Sequence, residues 1–322
     1  MGTHVNERSY PWLDEGEVPP LPMDRDRTHI ITQAVADPVF DYDIIPLTYT
    51  ESRWMAFIIR VDEKDLKAVL PEPITLEDDV VEFWYVIHKN TMIGPYMEMG
   101  VTVAASYSSP DGPTYYAGYY PYMYLSNDTA IFAGREPFGF PKKAAYISAY
   151  EHGQNDNYFN VLMERRGYIL HSANGRYSDK PLSVKPRFYG DTKWGRMNFR
   201  ITTRPDITDS HFELTYLPSE ITPGAGHRFQ LDPATIRTAT GDDVRSWFMA
   251  GTPFDYMGGQ IPATEVLGLI TFTFNLIIPG AQTIWEHHQT RDPEKDFGAL
   301  LYSTAFKYTM RHRFMLPIYS QG

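Results

Sequence analysis

The 322-residue sequence contains no cysteine. This absence excludes disulfides, thiolate zinc sites and cysteine nucleophiles, and the chain has no need of an oxidising compartment. The sequence also lacks a P-loop, a glycine fingerprint after a strand, an HExxH motif and a GxSxG motif. These absences argue against nucleotide-binding, zinc-protease and α/β-hydrolase functions, so any catalytic chemistry must use other side chains.

Positive charge and long apolar runs are also scarce. The chain has 29 Lys and Arg residues against 40 Asp and Glu residues, a formal net charge of −11. Nucleic acids and anionic membranes need basic surfaces, so we predict neither as a partner. No segment approaches the roughly 18 apolar residues of a membrane span, and the N-terminus lacks the apolar core of a signal peptide. We therefore expect a cytoplasmic protein.

Composition divides the chain into three parts. Residues 1–40 are polar and rich in proline, which predicts an extended N-terminal arm, and residues 41–288 form the body. Residues 289–322 form a C-terminal helical extension, in which residues 294–311 carry an apolar stripe at helical spacing. Both extensions hold apolar residues that one small domain would not cover, so we expect a homo-oligomer.

Short β-branched and aromatic runs, separated by Gly, Pro, Asn and Asp, fill the body. This pattern predicts one domain of the α+β class that is mostly β, with many antiparallel strands and few helices. One helix is predicted in "DEKDLKAVLP", with Asp62 as its cap and Pro71 as its stop. The predicted strands are 79–87, 101–107, 129–134, 143–150, 157–164, 167–172, 197–203, 211–217 and 265–278.

Two adjacent lysines stand out in "AGREPFGFPKKAAYI", residues 133–147. Lys142 and Lys143 begin a predicted strand, so their side chains should point to opposite faces. If Lys142 faces the interior, burial lowers its pKa by up to about 3–5 units and enriches the free amine. A free amine condenses with ketones to an iminium, which supports decarboxylation, aldol and dehydration chemistry. The alternative is a pair of surface lysines.

The longer string "GREPFGFPKK", with "LPEP" at 70–73, "GPYMEMG" at 94–100 and "YLSNDTAIFAGRE" at 124–136, resembles the acetoacetate decarboxylase family. The resemblance runs from about residue 43 to about residue 288. It implies a cone-shaped antiparallel β-barrel that encloses a cavity. It also implies that Lys142 is the nucleophile, that Lys143 is the neighbouring cation that depresses its pKa, and that Glu98 is the active-site carboxylate.

Other residues near these motifs are candidates for supporting roles. Tyr96 and Glu98 lie two apart and share a face in an extended segment, so both can act on one substrate atom, Glu98 on protons and Tyr96 on an oxyanion. The alternatives are a solvated carboxylate for Glu98 and core packing for Tyr96. Arg135 and Glu136 are expected to form a buried ion pair that holds the lysine strand.

Two positions depart from the family's pattern. Its usual arginine and its second glutamate align with Ser52 and Phe83, while Arg53 and Glu82 lie one residue away. A shift of one residue in a strand reverses the face. We name Phe83, Arg53 and Tyr124 as candidate substrate-pocket residues, with Phe83 as an aromatic wall.

These observations predict a lysine Schiff-base enzyme that decarboxylates a β-keto acid without a metal or an organic cofactor. One alternative is aldol or dehydration chemistry on a larger, even aromatic, oxo acid. Another is a non-catalytic protein that binds an apolar carboxylate ligand in its barrel. The "EHH" at 286–288 is expected to be a solvated segment rather than a metal site, because adjacent side chains diverge.

Overall fold

The computed structural model describes residues 45–290, except 185–186, 189–192, 204–208, 219–228 and 253–254. The predicted N-terminal arm, residues 1–40, and the predicted helix at 294–311 lie outside the described residues. Among the helices that are described, none combines the length and the apolar character that crossing a membrane requires.

A large, mainly antiparallel sheet holds eleven of the described strands. The strands are β1 Leu47–Val61, β2 Thr75–His88, β3 Asn90–Thr91, β4 Tyr96–Ser108, β5 Thr114–Leu125, β6 Lys142–Ala144, β10 Gly195–Thr203, β11 Asp209–Leu217, β12 Gln230–Thr240, β14 Ala263–Ile278 and β15 Gln282–Thr290. Hydrogen-bonded neighbours follow one another in the order β12, β14, β1, β2, β4, β5, β10, β11 and β15, while β3 pairs with β1 and β6 pairs with β5.

A smaller antiparallel sheet covers one face of the large sheet. Its order is β13, β9, β8 and β7. The strands are β7 Tyr146–His152, β8 Tyr158–Arg165, β9 Tyr168–Arg176 and β13 Val244–Phe248. Three short α-helices complete the described part, α1 Glu63–Val69, α2 Asp128–Phe138 and α3 Met257–Gln260. The predicted class, mostly β with few helices, is confirmed.

The hydrophobic core lies between the two sheets. Phe57 of β1 and Phe83 of β2 are fully buried there, in one cluster with Val161 and Met163 of β8. Since side chains alternate along a strand, the odd-numbered residues around these positions enter the core, and the even-numbered ones point to the other face of the large sheet. That second face forms the cavity described below.

Helix α2 replaces a predicted strand. Residues 129–134 were expected to be extended because β-branched and aromatic residues favour strands. The Asn127 side chain instead accepts a hydrogen bond from the backbone N–H of Ala130 at 2.9 Å, and Gly139 ends the helix with φ 74°. An N-cap and a left-handed C-terminal glycine define a helix at both ends, and here they outweigh the local strand preference.

Helix α1 forms where it was predicted and ends before Pro71. Its Leu66 is buried, as the apolar spacing predicts. The predicted side-chain cap is wrong in detail, because Asp62 makes no side-chain capping bond. Its backbone carbonyl instead accepts hydrogen bonds from the N–H groups of Asp65 and Leu66.

A buried histidine in the core makes the fold sensitive to acid. His171 is 0% exposed, and its ring nitrogens hydrogen-bond with Tyr85 Oη at 2.5 Å and Ser246 Oγ at 2.9 Å. Burial lowers the pKa of His171 to about 3. The neutral ring therefore stabilises the fold fully above its unfolded pKa near 6.5, and this stability is lost as the pH falls toward 3.

We predict that His171 alone accounts for about 2 kcal/mol of the free energy of unfolding lost between pH 7 and pH 5. Urea denaturation of the wild type and of His171→Gln at both pH values measures this loss. The variant should be less stable at pH 7 but should lose about 2 kcal/mol less on acidification. An equal loss in the two proteins would contradict the prediction, and the exposed His152→Gln is the matched control.

Candidate active site

The two lysines lie on a three-residue strand whose register fixes their directions. Strand β6 runs parallel to β5, with Lys142 beside Met123 and Lys143 beside Tyr124. The Lys142 side chain is 9% exposed, whereas that of Lys143 is 33% exposed. The lysines therefore occupy opposite faces, as predicted, and Lys142 is the buried one.

Helix α2 holds Lys142 in place. A Cβ on Gly134 would overlap Cδ and Cε of Lys142, so the lysine stem lies directly against the backbone of the helix. Arg135 of the same helix donates from Nη1 to the Lys142 carbonyl oxygen at 3.0 Å. One helix thus positions both the backbone and the side chain of the lysine.

The prediction that Arg135 and Glu136 are buried together is wrong. Arg135 is exposed and Glu136 is half-buried. Arg135 nevertheless supports the lysine strand through the Lys142 carbonyl, while the backbone carbonyl of Glu136 accepts a hydrogen bond from Arg200 Nε at 2.6 Å. Both residues have structural contacts outside the cavity.

Glu98 of β4 approaches the buried amine. Its Oε1 lies 3.3 Å from Lys142 Nζ, and its side chain is 6% exposed. This oxygen accepts no well-aligned hydrogen bond from the described residues. Burial raises the pKa of Glu98, and the charge of Lys142 opposes that rise. A carboxylate with a raised pKa can take up a proton from the neighbouring amine.

Tyr96 lies on the same face of β4 as Glu98, as predicted. Its hydroxyl donates a hydrogen bond to Tyr49 Oη at 3.4 Å. Burial raises the pKa of Tyr49 and of Tyr96. Both phenols therefore remain neutral at physiological pH and present hydroxyl groups next to Glu98.

Ser52 and a histidine that the sequence does not single out complete this polar group. Ser52 Oγ hydrogen-bonds with Nδ1 of His88 at 2.7 Å, and the His88 ring packs 4.7 Å from both Tyr49 and Tyr96. Burial lowers the pKa of His88 to about 3, with a smaller contribution from the charge of Lys142. No local motif marks these residues, because only the pairing of β1 with β2 brings them together.

Lys142, Glu98, Tyr96 and His88 line one cavity of about 60 Å³. Its remaining walls are mostly apolar and come from strands across the large sheet, from Phe274 of β14 to Leu217 of β11. Strands β14 and β11 lie second and eighth in the strand order. The sheet must therefore curl around the cavity, as in the predicted barrel, although its hydrogen-bonded order leaves β12 and β15 as ends among the described strands.

The three predicted pocket residues Phe83, Arg53 and Tyr124 do not line the cavity. Phe83 is buried in the core between the sheets. Arg53 Nη2 lies 2.8 Å from Glu151 Oε1 of the small sheet. Tyr124 donates to Asp255 at 2.9 Å. All three occupy the core-facing side of their strands, opposite to the cavity.

Their sequence neighbours occupy the cavity side instead. Ser52 contacts the cavity-lining His88, and the buried Glu82 lies two residues from Trp84, which lines the cavity. The idea that Phe83 replaces a carboxylate in the cavity is therefore wrong, because Glu82 is on the correct face. An alignment error of one residue is enough to exchange the two faces.

Lys143 forms an ion pair on the opposite side of its strand. Its Nζ lies 2.7 Å from Asp255 Oδ1, and Arg165 Nε lies 2.7 Å from Oδ2 of the same carboxylate. The Asp255 carboxylate is fully buried and joins β6 to β8. Lys143 is thus a structural ion-pair partner rather than a free cation beside the Lys142 amine.

Three side chains that could bind a metal ion lie close together, those of His211, Glu286 and His288. Their potential ligand atoms are within 4.8 Å of one another. His211 and His288 face each other across β11 and β15, a cross-strand contact that the "EHH" pattern alone does not reveal. Their rings stack 4.2 Å apart with planes 5° from parallel. Parallel rings do not direct their lone pairs to one point, so this arrangement fits stacking better than metal coordination.

Comparisons with known proteins agree with this geometry. Residues 35–225 match the family model described as acetoacetate decarboxylase. The chain belongs to the acetoacetate decarboxylase family. It is 30% identical over 243 residues to the acetoacetate decarboxylase of Clostridium acetobutylicum, covering 75% of this chain and 90% of that protein. The acetoacetate decarboxylases of Clostridium beijerinckii and Acidiphilium cryptum are matched over only 65% and 39% of their own lengths.

Solved structures support the same fold. A structure reported as "Structural Studies of Acetoacetate Decarboxylase" superposes with a TM-score of 0.65 at 18% identity, covering 80% of this chain and 96% of that one. The enduracididine biosynthesis enzyme MppR, complexed with the condensation product of pyruvate and imidazole 4-carboxaldehyde, gives a TM-score of 0.58 at 13% identity, covering 74% and 88%. Lys142, Glu98 and Tyr96 fall within the acetoacetate decarboxylase match, whereas the β14 wall of the cavity lies beyond it.

We predict that Gly134→Ala moves the Lys142 amine away from Glu98 with little loss of stability. The new methyl group overlaps the flexible end of the lysine side chain, which can shift, while alanine in a helix is favoured over glycine by about 1 kcal/mol. A crystal structure should show the distance between Nζ and Oε1 lengthened from 3.3 Å, and thermal unfolding should be nearly unchanged. Gly280→Ala is the matched control, since nothing lies within 4 Å of its Cβ. An unchanged distance would contradict the assignment of Gly134.

Proposed function

We propose that this member of the family is a lysine Schiff-base enzyme that decarboxylates a small β-keto acid. The observation that carries the proposal is the buried Lys142 amine, 3.3 Å from Glu98 in a mostly apolar cavity. An amine shielded from water and next to a proton acceptor is the arrangement that iminium formation needs.

The proposed reaction uses the groups that line the cavity. Glu98 takes a proton from Lys142, and the free amine attacks the keto carbon and expels water to form an iminium. The bond to the carboxylate then breaks, CO₂ leaves, and the bonding electrons pass into the iminium to give an enamine. Glu98, which takes up from water the one proton that decarboxylation consumes, protonates the enamine carbon, and hydrolysis releases the ketone and restores the amine. The hydroxyl of Tyr96 donates to the oxygen during attack.

The size of the cavity supports a small substrate. A buried water requires roughly 10–15 Å³ on the same measure, so 60 Å³ accommodates about four to six water-sized groups. This space suits a short aliphatic keto acid better than the larger aromatic oxo acids considered from the sequence.

A second candidate keeps the iminium but uses it for carbon–carbon bond formation. The structural likeness to MppR, whose complex holds a condensation product of pyruvate and an aldehyde, favours this possibility. Lys142 would hold pyruvate as an enamine, and the neutral hydroxyls of Tyr49 and Tyr96 would donate to the aldehyde oxygen. Product analysis separates the two reactions, because decarboxylation releases CO₂ and condensation retains the carboxylate.

We predict that borohydride reduction with a keto acid fixes a mass adduct on Lys142. The adduct should be absent in Lys142→Ala and present in Lys143→Ala, since Lys143 pairs with Asp255 outside the cavity. Peptide mass spectrometry after incubation with a panel of oxo acids locates the adduct, and CO₂ release is measured in parallel. Failure of every oxo acid to label Lys142 would favour a non-catalytic binding protein.

We predict that Glu98→Gln lowers kcat by about 10²–10⁴, because the amide cannot accept or return the proton. The change keeps the size of the side chain, so circular dichroism and the melting temperature serve as controls for folding. Steady-state kinetics with the substrate found in the panel measures kcat. A variant that retains the wild-type kcat would remove Glu98 from the proton-transfer steps.

A further inference from the structure

Arg196 lines the cavity from β10, a strand far from Lys142 in the sequence. Strand β10 pairs in parallel with β5, and Arg196 lies beside Gly118 in that register. Strand β6, which carries Lys142, pairs with a later part of β5, at Met123. Strands β10 and β6 thus both pair with β5, at different positions along it. Arg196 and Lys142 line the same cavity.

The guanidinium of Arg196 has no carboxylate partner among the described residues. Nearby cations form ion pairs elsewhere: Arg53 with Glu151, Arg200 with Glu213, and both Lys143 and Arg165 with Asp255. None of the ion pairs formed by the described part of the chain includes Arg196. Within the cavity Arg196 interacts with Tyr120. Burial raises the pKa of Tyr120, and the positive charge of Arg196 opposes that rise.

Among the described side chains that line the cavity, positive charges outnumber negative ones by one; the buried carboxylate of Glu82, which acts on Tyr120, lies outside this lining. The charges of Lys142 and Glu98 sum to zero whether the proton is on the amine or on the carboxylate. The other polar groups of the lining are neutral, because His88 has a pKa of about 3 and the pKa values of the tyrosines are raised. A cation in a mostly apolar cavity is stabilised by a bound anion.

Strands β1 and β2 contribute no lysine or arginine to the described lining of the cavity. Ser52 of β1 hydrogen-bonds to the neutral His88. Arg53, the next residue, points into the core toward Glu151. The wall formed by β1 and β2 therefore offers neutral hydrogen-bonding groups, and the guanidinium comes from β10 instead.

We propose that Arg196 is the carboxylate subsite of the cavity and selects a monoanionic oxo acid whose ketone meets Lys142. This inference rests on the proposed Schiff-base function and adds to it the class of substrate and the residue that recognises it. A guanidinium binds a carboxylate through two parallel charge-assisted hydrogen bonds, which orient as well as attract the ligand. A second carboxylate on the substrate would find no cation among the described lining residues.

The experiment compares acids with their neutral amides, which have nearly the same shape. Acetoacetate and acetoacetamide form one pair, and pyruvate and pyruvamide form the other. Borohydride trapping on Lys142 gives the concentration for half-maximal adduct with each probe. In the wild type the better acid should need about 10- to 100-fold less than its amide, the usual range for a charged hydrogen bond.

Arg196→Met should remove this preference, leaving a ratio near one, while trapping of the amide changes by less than about threefold. Arg196→Lys should retain part of the preference because it keeps the charge. Arg200→Met is the matched control on the same strand, since Arg200 pairs with Glu213 away from the cavity lining, and it should keep the wild-type ratio. If the methionine variant does not fold, protection of the wild-type lysine by butyrate but not by butyramide tests the same subsite.

The possible results distinguish failure of the carboxylate subsite from failure of the Schiff-base function. An unchanged acid preference in Arg196→Met, or an equal loss of acid and amide trapping, would overturn the subsite while the Schiff-base function stands. Equal trapping of acid and amide by the wild type would also overturn it. No adduct from any probe in the wild type would mean that the proposed Schiff-base function fails, and the subsite with it.

Discussion

The 3.3 Å approach of the Lys142 amine to the Glu98 carboxylate is the contact on which the organisation of the cavity depends. Removing two ionisable groups from water costs several kcal/mol for each ion, and the cost is recovered only if both groups are held in close geometry. The surrounding structure supplies that geometry from two directions. Helix α2 lies against the lysine stem, and the strand β4 fixes the carboxylate opposite it.

The alternation of side chains along strands decides which residues join this pair. Lys142 and Lys143 differ by one position, yet one enters the cavity and the other pairs with a buried aspartate in the core. The same rule separates Ser52 from Arg53. A bulge between β4 and β5, near Val101, changes the alternation, so that Tyr120 and Met123 both line the cavity.

Much of the fold follows from local patterns, because alternating apolar residues mark strands wherever they occur. The predicted strands at 79–87, 101–107 and 265–278 all lie within observed strands. The lysine, the glutamate and the tyrosine at position 96 belong to short motifs and could be identified from the sequence. Arg196 and His88 could not, since they reach the cavity through strand pairings between distant parts of the chain. Predicting which face of its strand Phe83 or Arg53 occupies would have required an alignment that is accurate to one residue.

The chemistry and the walls of the cavity reside on different strands. The amine and the carboxylate belong to β6 and β4, whereas Arg196, Phe274 and Leu276 come from β10 and β14. Substitutions on β10 or β14 can alter which molecule fits without disturbing the contact between Lys142 and Glu98. Such a division makes the scaffold evolvable, because a lineage can change what the cavity accepts through a few wall residues while it keeps the lysine and the glutamate.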